Sequence, residues 1–128
     1  MHTLLKSMKP ELVKEKFVFC TVSEQSFSKL NVKPLLIFKE EEGITIVLKK
    51  ESADANSLPY SSVWALITLT VSSDLTAVGF LAAITNSLAE SGISVNVVSA
   101  YYHDHLFVPI EKAEKAMQVL KVLSNQNI

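Results

Sequence analysis

Two tyrosines, two histidines and an aspartate lie close together near the end of this 128-residue chain, in the stretch SAYYHDHLFVP at residues 99–109. Imidazole and carboxylate groups can transfer protons or bind a metal ion, and tyrosine hydroxyls can hydrogen-bond a polar ligand. No other part of the chain concentrates so many such groups. The question is therefore whether this stretch forms an active site, a metal site, a ligand contact or a turn.

Catalysis and metal binding both lack the groups that they need. His103 and Asp104 are adjacent on a predicted turn, with no nucleophile or oxyanion donor beside them. His103 and His105 are two residues apart and diverge in a hairpin, so a metal ion would need a third ligand from a distant part of the chain. Cys20 is the one cysteine, and there is no Gly-rich phosphate loop. We predict no catalytic residue, no metal site and no cofactor, in a protein that is not an enzyme.

Two interpretations of the stretch remain open. In the first, His103 and Asp104 form a tight turn, where both residue types tolerate left-handed dihedral angles, and the tyrosines pack. In the second, Tyr101, Tyr102 and Asp104 contact a ligand, and the Asp104 carboxylate pairs with an ammonium group.

The elements that position this stretch are clearest after Ser62. The segment VWALITLTV at 63–71 is typical of a buried strand, and FLAAITNSLAES predicts a helix with Ser73 or Asp74 as its N-cap and Gly92 at its end. Strands at 93–102 and 105–109 then form a hairpin, and a helix follows at 111–124. The residues predicted to face the core are Val63, Ala65, Ile67, Leu69 and Val71 of the first strand, Leu81, Ile84 and Leu88 of the first helix, and Ala113, Met117 and Leu120 of the second.

The order β-α-β-β-α is a ferredoxin-like βαββαβ unit that lacks its last strand. The N-terminal half offers candidates for the missing strand at 17–22, 34–39 and 44–50. We predict a polar loop between the first two of these, and a hairpin between the last two in which Gly43 takes a positive φ. A short helix is predicted within residues 52–60. The two halves are expected to share strands.

A second group of candidate ligand contacts lies in the loop SSDLTAVG at residues 72–79. This loop leads into a predicted helix, and the first amide N–H groups of a helix have no intrahelical partner, which favours a carboxylate there. A strand, a helix and a second strand in one sheet bring the ends of both strands to the same edge. The loop and the hairpin end are therefore expected to lie together. A free amino acid carries the carboxylate and the ammonium group that this pair of sites would bind.

The stretch GFLAAITNSLAESGISV at residues 79–95, with Gly79, Gly92 and the apolar positions between them, resembles the signature of the ACT-domain family. The segments FVFCT and YYHDHLFVP extend the resemblance to double-ACT proteins that are related to amino-acid sensors. Typical members have Asp-x-Pro-Gly before the helix, whereas here Asp74 begins a longer loop with Val78 in the place of the proline. The resemblance implies an α+β, ferredoxin-like βαββαβ fold with two intertwined ACT-type subdomains and antiparallel sheets. We expect the subdomains at residues 1–61 and 62–128.

The resemblance also implies function. The expected protein is a non-enzymatic regulatory or sensor module that binds an amino acid, and the alternative is a structural or protein-interaction module that dimerises without a ligand. The predicted ligand-binding residues are Ser72, Ser73, Asp74, Val78, Gly79, Phe80, Asn96, Tyr101, Tyr102 and Asp104.

Composition limits the partners. Lys and Arg total 12 against 13 Asp and Glu, and neither charge forms a long block, so we expect no nucleic-acid partner. No apolar run approaches the roughly 20 residues of a membrane span, and the N-terminus lacks the apolar region of a signal peptide. With a single cysteine, Cys20, the chain is expected to be cytoplasmic. By strand alternation, Cys20 lies beside Val18 and Val22 as an inert, buried thiol.

The apolar content of 48% is high for a soluble chain of this size, and it suggests either strands buried on both faces or an oligomer interface. The strand at 63–71 carries Trp64 and Leu66 on the side away from the helices, and Val98 and Phe107 are expected to join them. In a monomer this side would be exposed to solvent unless the N-terminal half covered it, so we predict a homodimer or a higher homo-oligomer.

Overall fold

The computed structural model of the chain describes residues 5, 7–71 and 79–126, without the side chain of Gln126. The chain divides into two compact units, one of residues 15–64 and one that combines residues 1–14 with residues 65–128. The chain order of the described elements is β1 (Pro10–Val22), α1 (Glu24–Lys29), β2 (Leu36–Lys39), β3 (Ile44–Lys49), α2 (Lys50–Ala55), β4 (Trp64–Leu69), α3 (Phe80–Glu90), β5 (Asn96–Ser99), β6 (Asp104–Pro109), a 3-10 turn (Ile110–Lys112) and α4 (Ala113–Gln126).

In the unit of residues 15–64, β3 lies between β2 and β1 and pairs antiparallel with both. Cys20 is opposite Ile46 in this ladder and belongs to a buried cluster with Val18, whereas Val22 packs against the edge of the cluster. Burial raises the pKa of the Cys20 thiol because the thiolate loses its hydration. The predicted burial of Cys20 on the same face as Val18 and Val22 is therefore confirmed.

The segment predicted to be a polar loop after β1 contains helix α1, so that prediction was wrong. Ser23 caps the helix, because its Oγ accepts a hydrogen bond from the Ser26 N–H at 3.0 Å. The helix has no fully buried residue, and Phe27 is half-buried against the cluster that contains Cys20. One turn and a half of helix with a single apolar contact gives too weak a periodicity to recognise in the sequence.

The predicted hairpin between β2 and β3 is present, and Lys39 to Glu42 at its tip are exposed. Gly43, however, does not have a positive φ, so that part of the prediction was wrong. The chain packs closely around Gly43 instead. A Cβ at this position would lie 3.0 Å from Thr21 Oγ1 and 3.2 Å from the carbonyl oxygen of Val22.

The unit that contains residues 65–128 has the predicted β-α-β-β-α order, and its missing last strand is the first part of β1. The strand order here is β1-β4-β6-β5, which completes a ferredoxin-like βαββαβ unit. Immediately before this strand the Met8 carbonyl oxygen accepts from the Thr70 N–H at 3.0 Å, and the Lys9 carbonyl oxygen accepts from Thr70 Oγ1 at 2.9 Å. The predicted segment, 17–22, is only the later part of a strand of 13 residues. The first part of β1 was not predicted because its charged residues do not give the apolar pattern of a strand.

Helix α3 begins at Phe80, and its N-cap is Gly79, with φ 88° and no side-chain cap. The prediction of Ser73 or Asp74 as the N-cap was therefore wrong. The buried residues of this helix are Phe80, Ile84 and Leu88, so the predicted stripe is confirmed at its last two positions and begins at Phe80 rather than at Leu81, which is half-buried.

Gly92 terminates α3 as predicted. Its φ is 73°, its N–H donates to the Ala89 carbonyl oxygen at 3.0 Å, and the Ile93 N–H donates to the Leu88 carbonyl oxygen at 3.0 Å. This pair of bonds is a Schellman motif. Because Leu88 and Ile93 are both buried, the motif also has its usual apolar contact.

The core of this unit lies between the helices and one side of the sheet. Most positions predicted to face it do so. Its buried members from β4 and the helices are Ala65, Ile67, Leu69, Phe80, Ile84, Leu88, Ala113, Ala116 and Leu120, with Val71, Leu81 and Met117 packed at its edge. Val63 instead packs in the cluster of the other unit.

The opposite side of β4 and β6 is less exposed than expected. Leu66 is 4% exposed and Phe107 2%, and both are covered within a single chain. Trp64 and Val98 are half-buried, and Trp64 packs edge-on against Phe19 at a ring-centroid distance of 5.8 Å. These residues therefore do not form the solvent-exposed apolar face from which a homo-oligomer was predicted, and that part of the prediction was wrong. The oligomeric state itself stays a prediction.

Candidate functional site

The candidate site lies at the end of the β5–β6 hairpin. The two strands pair antiparallel, with Ser99 opposite Asp104, and the Ala100 N–H donates to the His103 carbonyl oxygen at 3.0 Å across the turn. The predicted hairpin is present, but its turn comprises residues 100–103. Asp104 is already the first residue of β6.

Asp104 differs from its predicted position on an exposed turn. Its side chain is 4% exposed, and alternation along β6 places it on the same side as the buried Leu106, facing the core. It makes interactions within the chain and is not a free carboxylate. A ligand that pairs with Asp104 would therefore meet a buried, already engaged group rather than one on a flexible loop.

Tyr101 and Tyr102 stand at the tip of the hairpin and are 78% and 70% exposed. Their rings contact each other edge to face, with centroids 5.0 Å apart and an angle of 70° between the planes. The interpretation in which both tyrosines pack into the interior was wrong. Two exposed aromatic rings form a surface that another molecule can cover.

A contact that the sequence analysis did not find joins β6 to β4. Thr68 Oγ1 lies 3.0 Å from His105 Nδ1. Burial lowers the pKa of His105, as does the nearby charge of His103, whereas the negative charge of Asp104 acts in the opposite direction. His105 is therefore held in its neutral form, on the side of the sheet opposite Asp104. Strand alternation gave its side, but not its partner 37 residues away.

The Thr68–His105 contact joins the C-terminal end of β4 to the beginning of β6. The loop after β4 and the end of the β5–β6 hairpin were predicted to lie at one edge of the sheet, and the Thr68–His105 contact is consistent with that prediction. At the beginning of α3, Gly79 is exposed and Phe80 is 2% exposed as part of the core. The other predicted contacts in this loop, Ser72, Ser73, Asp74 and Val78, lie outside the described residues.

Asn96 is at the other end of β5 from the turn. It pairs with Phe107, three residues along the ladder from the Ser99–Asp104 pair. At roughly 3.4 Å per residue this is about 10 Å. Its side chain, like that of Phe107, is on the side opposite Asp104. The structure therefore does not bring Asn96 together with the hairpin end.

A separate polar cluster lies on α2. Lys50 Nζ is 2.9 Å from Asp54 Oδ2, and the Tyr60 hydroxyl donates to Asp54 Oδ1 at 2.6 Å. The bond from Tyr60, followed by that from Lys50, lowers the pKa of Asp54. All three groups are on the surface, and the bond from Tyr60 joins the helix to the segment after it.

Within residues 5, 7–71 and 79–126, no three His, Cys, Asp or Glu side chains come together in a way that could hold a metal ion. Over the same residues, no helix has the length and apolar character needed to cross a membrane.

The fold and the two halves of the sequence identify the class of protein. An ACT-domain family model matches residues 1–65, and a second ACT-domain model matches residues 61–122. The chain therefore belongs to the ACT-domain family, a family of small regulatory domains, and carries two such domains. No curated protein sequence matches it.

Solved structures share the fold. A Vibrio cholerae protein of unknown function, described as a possible transport protein, is 47% identical, with a TM-score of 0.87 over 96% of this chain and 94% of its own. An Agobacterium tumefaciens protein is 16% identical, with a TM-score of 0.71 over 90% and 87%. The ligand-free regulatory subunit of aspartate kinase from Thermus thermophilus is 10% identical, with a TM-score of 0.60 over 89% and 95%. The last two show the fold alone.

Proposed function

We propose that this chain is a non-enzymatic regulatory module that binds a free amino acid and acts as a homodimer. The observation that carries the proposal is the beginning of α3. Gly79 is exposed, has a left-handed conformation and supplies no side chain to cap the helix. The first amide N–H groups of an 11-residue helix therefore have the geometry and the partial positive charge that suit a carboxylate. Family membership in the ACT domains supports the same conclusion.

The hairpin end would supply the other contacts. The exposed rings of Tyr101 and Tyr102 offer a surface for the apolar part of a small ligand, and Asp104 offers a carboxylate for its ammonium group. Because Asp104 is buried, the ammonium would have to approach from the core side of β6. Asp104 is therefore the residue to test.

Thermal unfolding of the chain with each of the twenty amino acids at millimolar concentration tests the proposal. A ligand that binds only the folded state raises the midpoint by mass action, so one or a few amino acids should raise it and the others should not. If none of the twenty raises the midpoint, the proposal is wrong.

Calorimetry with the best of these amino acids then tests the site. Asp104→Asn keeps the shape of the buried side chain and removes its charge, and it should weaken binding by about tenfold to a hundredfold, the loss expected for one charge-assisted hydrogen bond. Asn96→Ala is the matched control, because Asn96 is about 10 Å away along the ladder. Wild-type affinity in folded Asp104→Asn would assign Asp104 a structural role instead.

A dimerisation module without a ligand is the second candidate. It is favoured by the exposed apolar side chains Leu35, Ile37 and Phe38 around β2, which the amino-acid site does not use. The ligand panel separates the two functions, because this second module would dimerise with no response to any amino acid.

A further inference from the structure

Strand β2 has the features of an interface that the proposed amino-acid site does not explain. It is the last strand on its side of the sheet and pairs only with β3 among the strands that the structure describes. Leu35, Ile37 and Phe38 are 54%, 46% and 64% exposed. Exposed apolar side chains on an edge strand are unusual, because such an edge offers free backbone groups to any other chain.

The backbone groups that face outward can be identified. The Glu40 N–H donates to the Gly43 carbonyl oxygen at 3.0 Å, so these two residues form a hydrogen-bonded pair of the β2–β3 ladder. Bonded and non-bonded pairs alternate along an antiparallel ladder. Phe38 therefore directs its N–H and C=O groups towards β3, and Ile37 and Lys39 direct theirs away from it.

The two outward-facing residues lie symmetrically on either side of Phe38. If a second copy of β2 is placed antiparallel across this edge with the two-fold axis at Phe38, Ile37 of each copy pairs with Lys39 of the other. Both outward N–H groups and both outward C=O groups on each chain are then bonded. The two Phe38 side chains face each other as a non-hydrogen-bonded pair, which is the closer type of cross-strand contact.

The charges around β2 also fit an antiparallel copy. Lys33 precedes the strand, and Glu40, Glu41 and Glu42 follow it, all of them exposed. An antiparallel second copy brings the basic end of one strand beside the acidic end of the other, whereas a parallel copy would bring three glutamates beside three glutamates. Opposite charges across an interface favour that orientation.

We infer that β2 is the homodimer interface of this protein and that two copies pair antiparallel through it about a two-fold axis at Phe38. The inference names the partner surface of the homodimer in the proposed function and does not depend on whether an amino acid binds. The opposite edge strand, β5, has the sequence NVVS with both valines half-buried, so it lacks the exposed apolar groups that β2 has.

Charge substitution at Phe38 provides the sharpest test, with molar mass measured by light scattering at micromolar concentration. Wild type should have twice the 14.1 kDa mass of one chain. Phe38→Lys and Phe38→Glu should each be monomers, because the axis places two like charges against each other. An equimolar mixture should recover the dimer mass, because lysine then faces glutamate. This recovery also shows that both variants are folded.

Three results would overturn the inference. They are a wild-type monomer, a wild-type dimer that both Phe38 variants retain, and a mixture of the two variants that stays monomeric.

A backbone variant tests the hydrogen bonds independently. Ile37→Pro removes an N–H that points away from β3, which an edge strand tolerates. It should raise the dimer dissociation constant at least tenfold without a comparable loss of thermal stability at monomer concentrations, whereas Ile37→Val keeps the N–H and should dimerise like wild type. An unchanged dissociation constant in folded Ile37→Pro would contradict the pairing. Loss of dimer with retained amino-acid binding would leave the proposed ligand site standing.

Discussion

At the scale of single residues, the polar groups of the YYHDH stretch divide between three environments. Tyr101 and Tyr102 are exposed, Asp104 faces the core, and His105 faces the other side of the sheet beside Thr68. Adjacent residues in a strand point to opposite sides. Five neighbouring polar side chains therefore do not form one site, and only those on the core side and at the tip can act together.

The neutral state of His105 leads to a prediction about pH. Because the pKa of His105 is lower in the folded chain than the ordinary value of about 6.5, the unfolded chain takes up a proton first as the pH falls. The contribution of His105 to the free energy of unfolding is therefore fully present above about pH 6.5 and is lost progressively below it.

Replacing His105 with asparagine keeps a polar partner for Thr68 and removes the titration. His105→Asn should therefore lose less stability than wild type between about pH 7.5 and about pH 5, measured by urea unfolding at each pH. His103→Asn is the control for loss of an imidazole at the turn. If both variants follow the wild-type profile, the Thr68–His105 contact does not couple folding to pH.

At the scale of elements, the two positive-φ glycines border α3, one before it and one after it. Gly79 begins the helix and Gly92 ends it. A Cβ at Gly92 would meet no atom within 4 Å, so any cost of a side chain there comes from the backbone conformation alone. This makes Gly92 a clean test of helix termination.

We expect Gly92→Ala to lower the free energy of unfolding by about 1 to 2 kcal/mol, the cost of a left-handed conformation for an L-residue. Gly92→Asn should cost less, because asparagine tolerates this conformation better. Chemical denaturation of both variants measures the difference. Equal stability of Gly92→Ala and wild type would mean that the helix can end in another way.

At the scale of the whole molecule, β1 has two roles. Its first part belongs to the unit of residues 65–128, and the remainder belongs to the unit of residues 15–64. The ACT-domain models match the chain in two consecutive pieces, 1–65 and 61–122. The family matches are thus consecutive in sequence, but the second compact unit takes a strand from the beginning of the chain. The subdomain boundary between residues 61 and 62 stays a prediction.

This arrangement predicts how fragments behave. A fragment of residues 62–128 lacks the strand that pairs with β4, so it should not unfold cooperatively. The same fragment with residues 5–16 attached after its C-terminus through a flexible linker contains all four strands of a βαββαβ unit. It should show a cooperative thermal transition and dispersed amide resonances. If the first fragment already folds, residues 10–14 are dispensable for this unit.

Much of the fold could be predicted because its signals are local. The apolar run at 63–71 and the periodicity of 80–90 follow from strand and helix geometry, and Gly92 follows from the way helices end. The misses were elements whose local signal is weak. Helix α1 has a single apolar contact, and the beginning of β1 contains the consecutive charged residues Lys14, Glu15 and Lys16.

The candidate site was harder to predict than the fold. The hairpin was predicted correctly, but its turn is centred on Tyr101 and Tyr102, two residues before the predicted turn at His103 and Asp104, so Asp104 lies on the core side of β6 instead of on an exposed turn. Successive residues of a strand point to opposite sides of the sheet. The side of a polar residue therefore depends on exactly where a turn begins, which composition and periodicity do not specify.

The sequence by itself determined the class of fold, the order of the elements in the second half and the burial of Cys20, because strand alternation and helix periodicity act over a few neighbouring residues. Only the tertiary structure decided that β1 completes the C-terminal unit, that Thr68 meets His105, that Leu66 and Phe107 are already covered, and that β2 is an apolar edge. Each of these depends on contacts between residues distant in the chain, and such contacts are set by the packing of whole elements rather than by any local pattern.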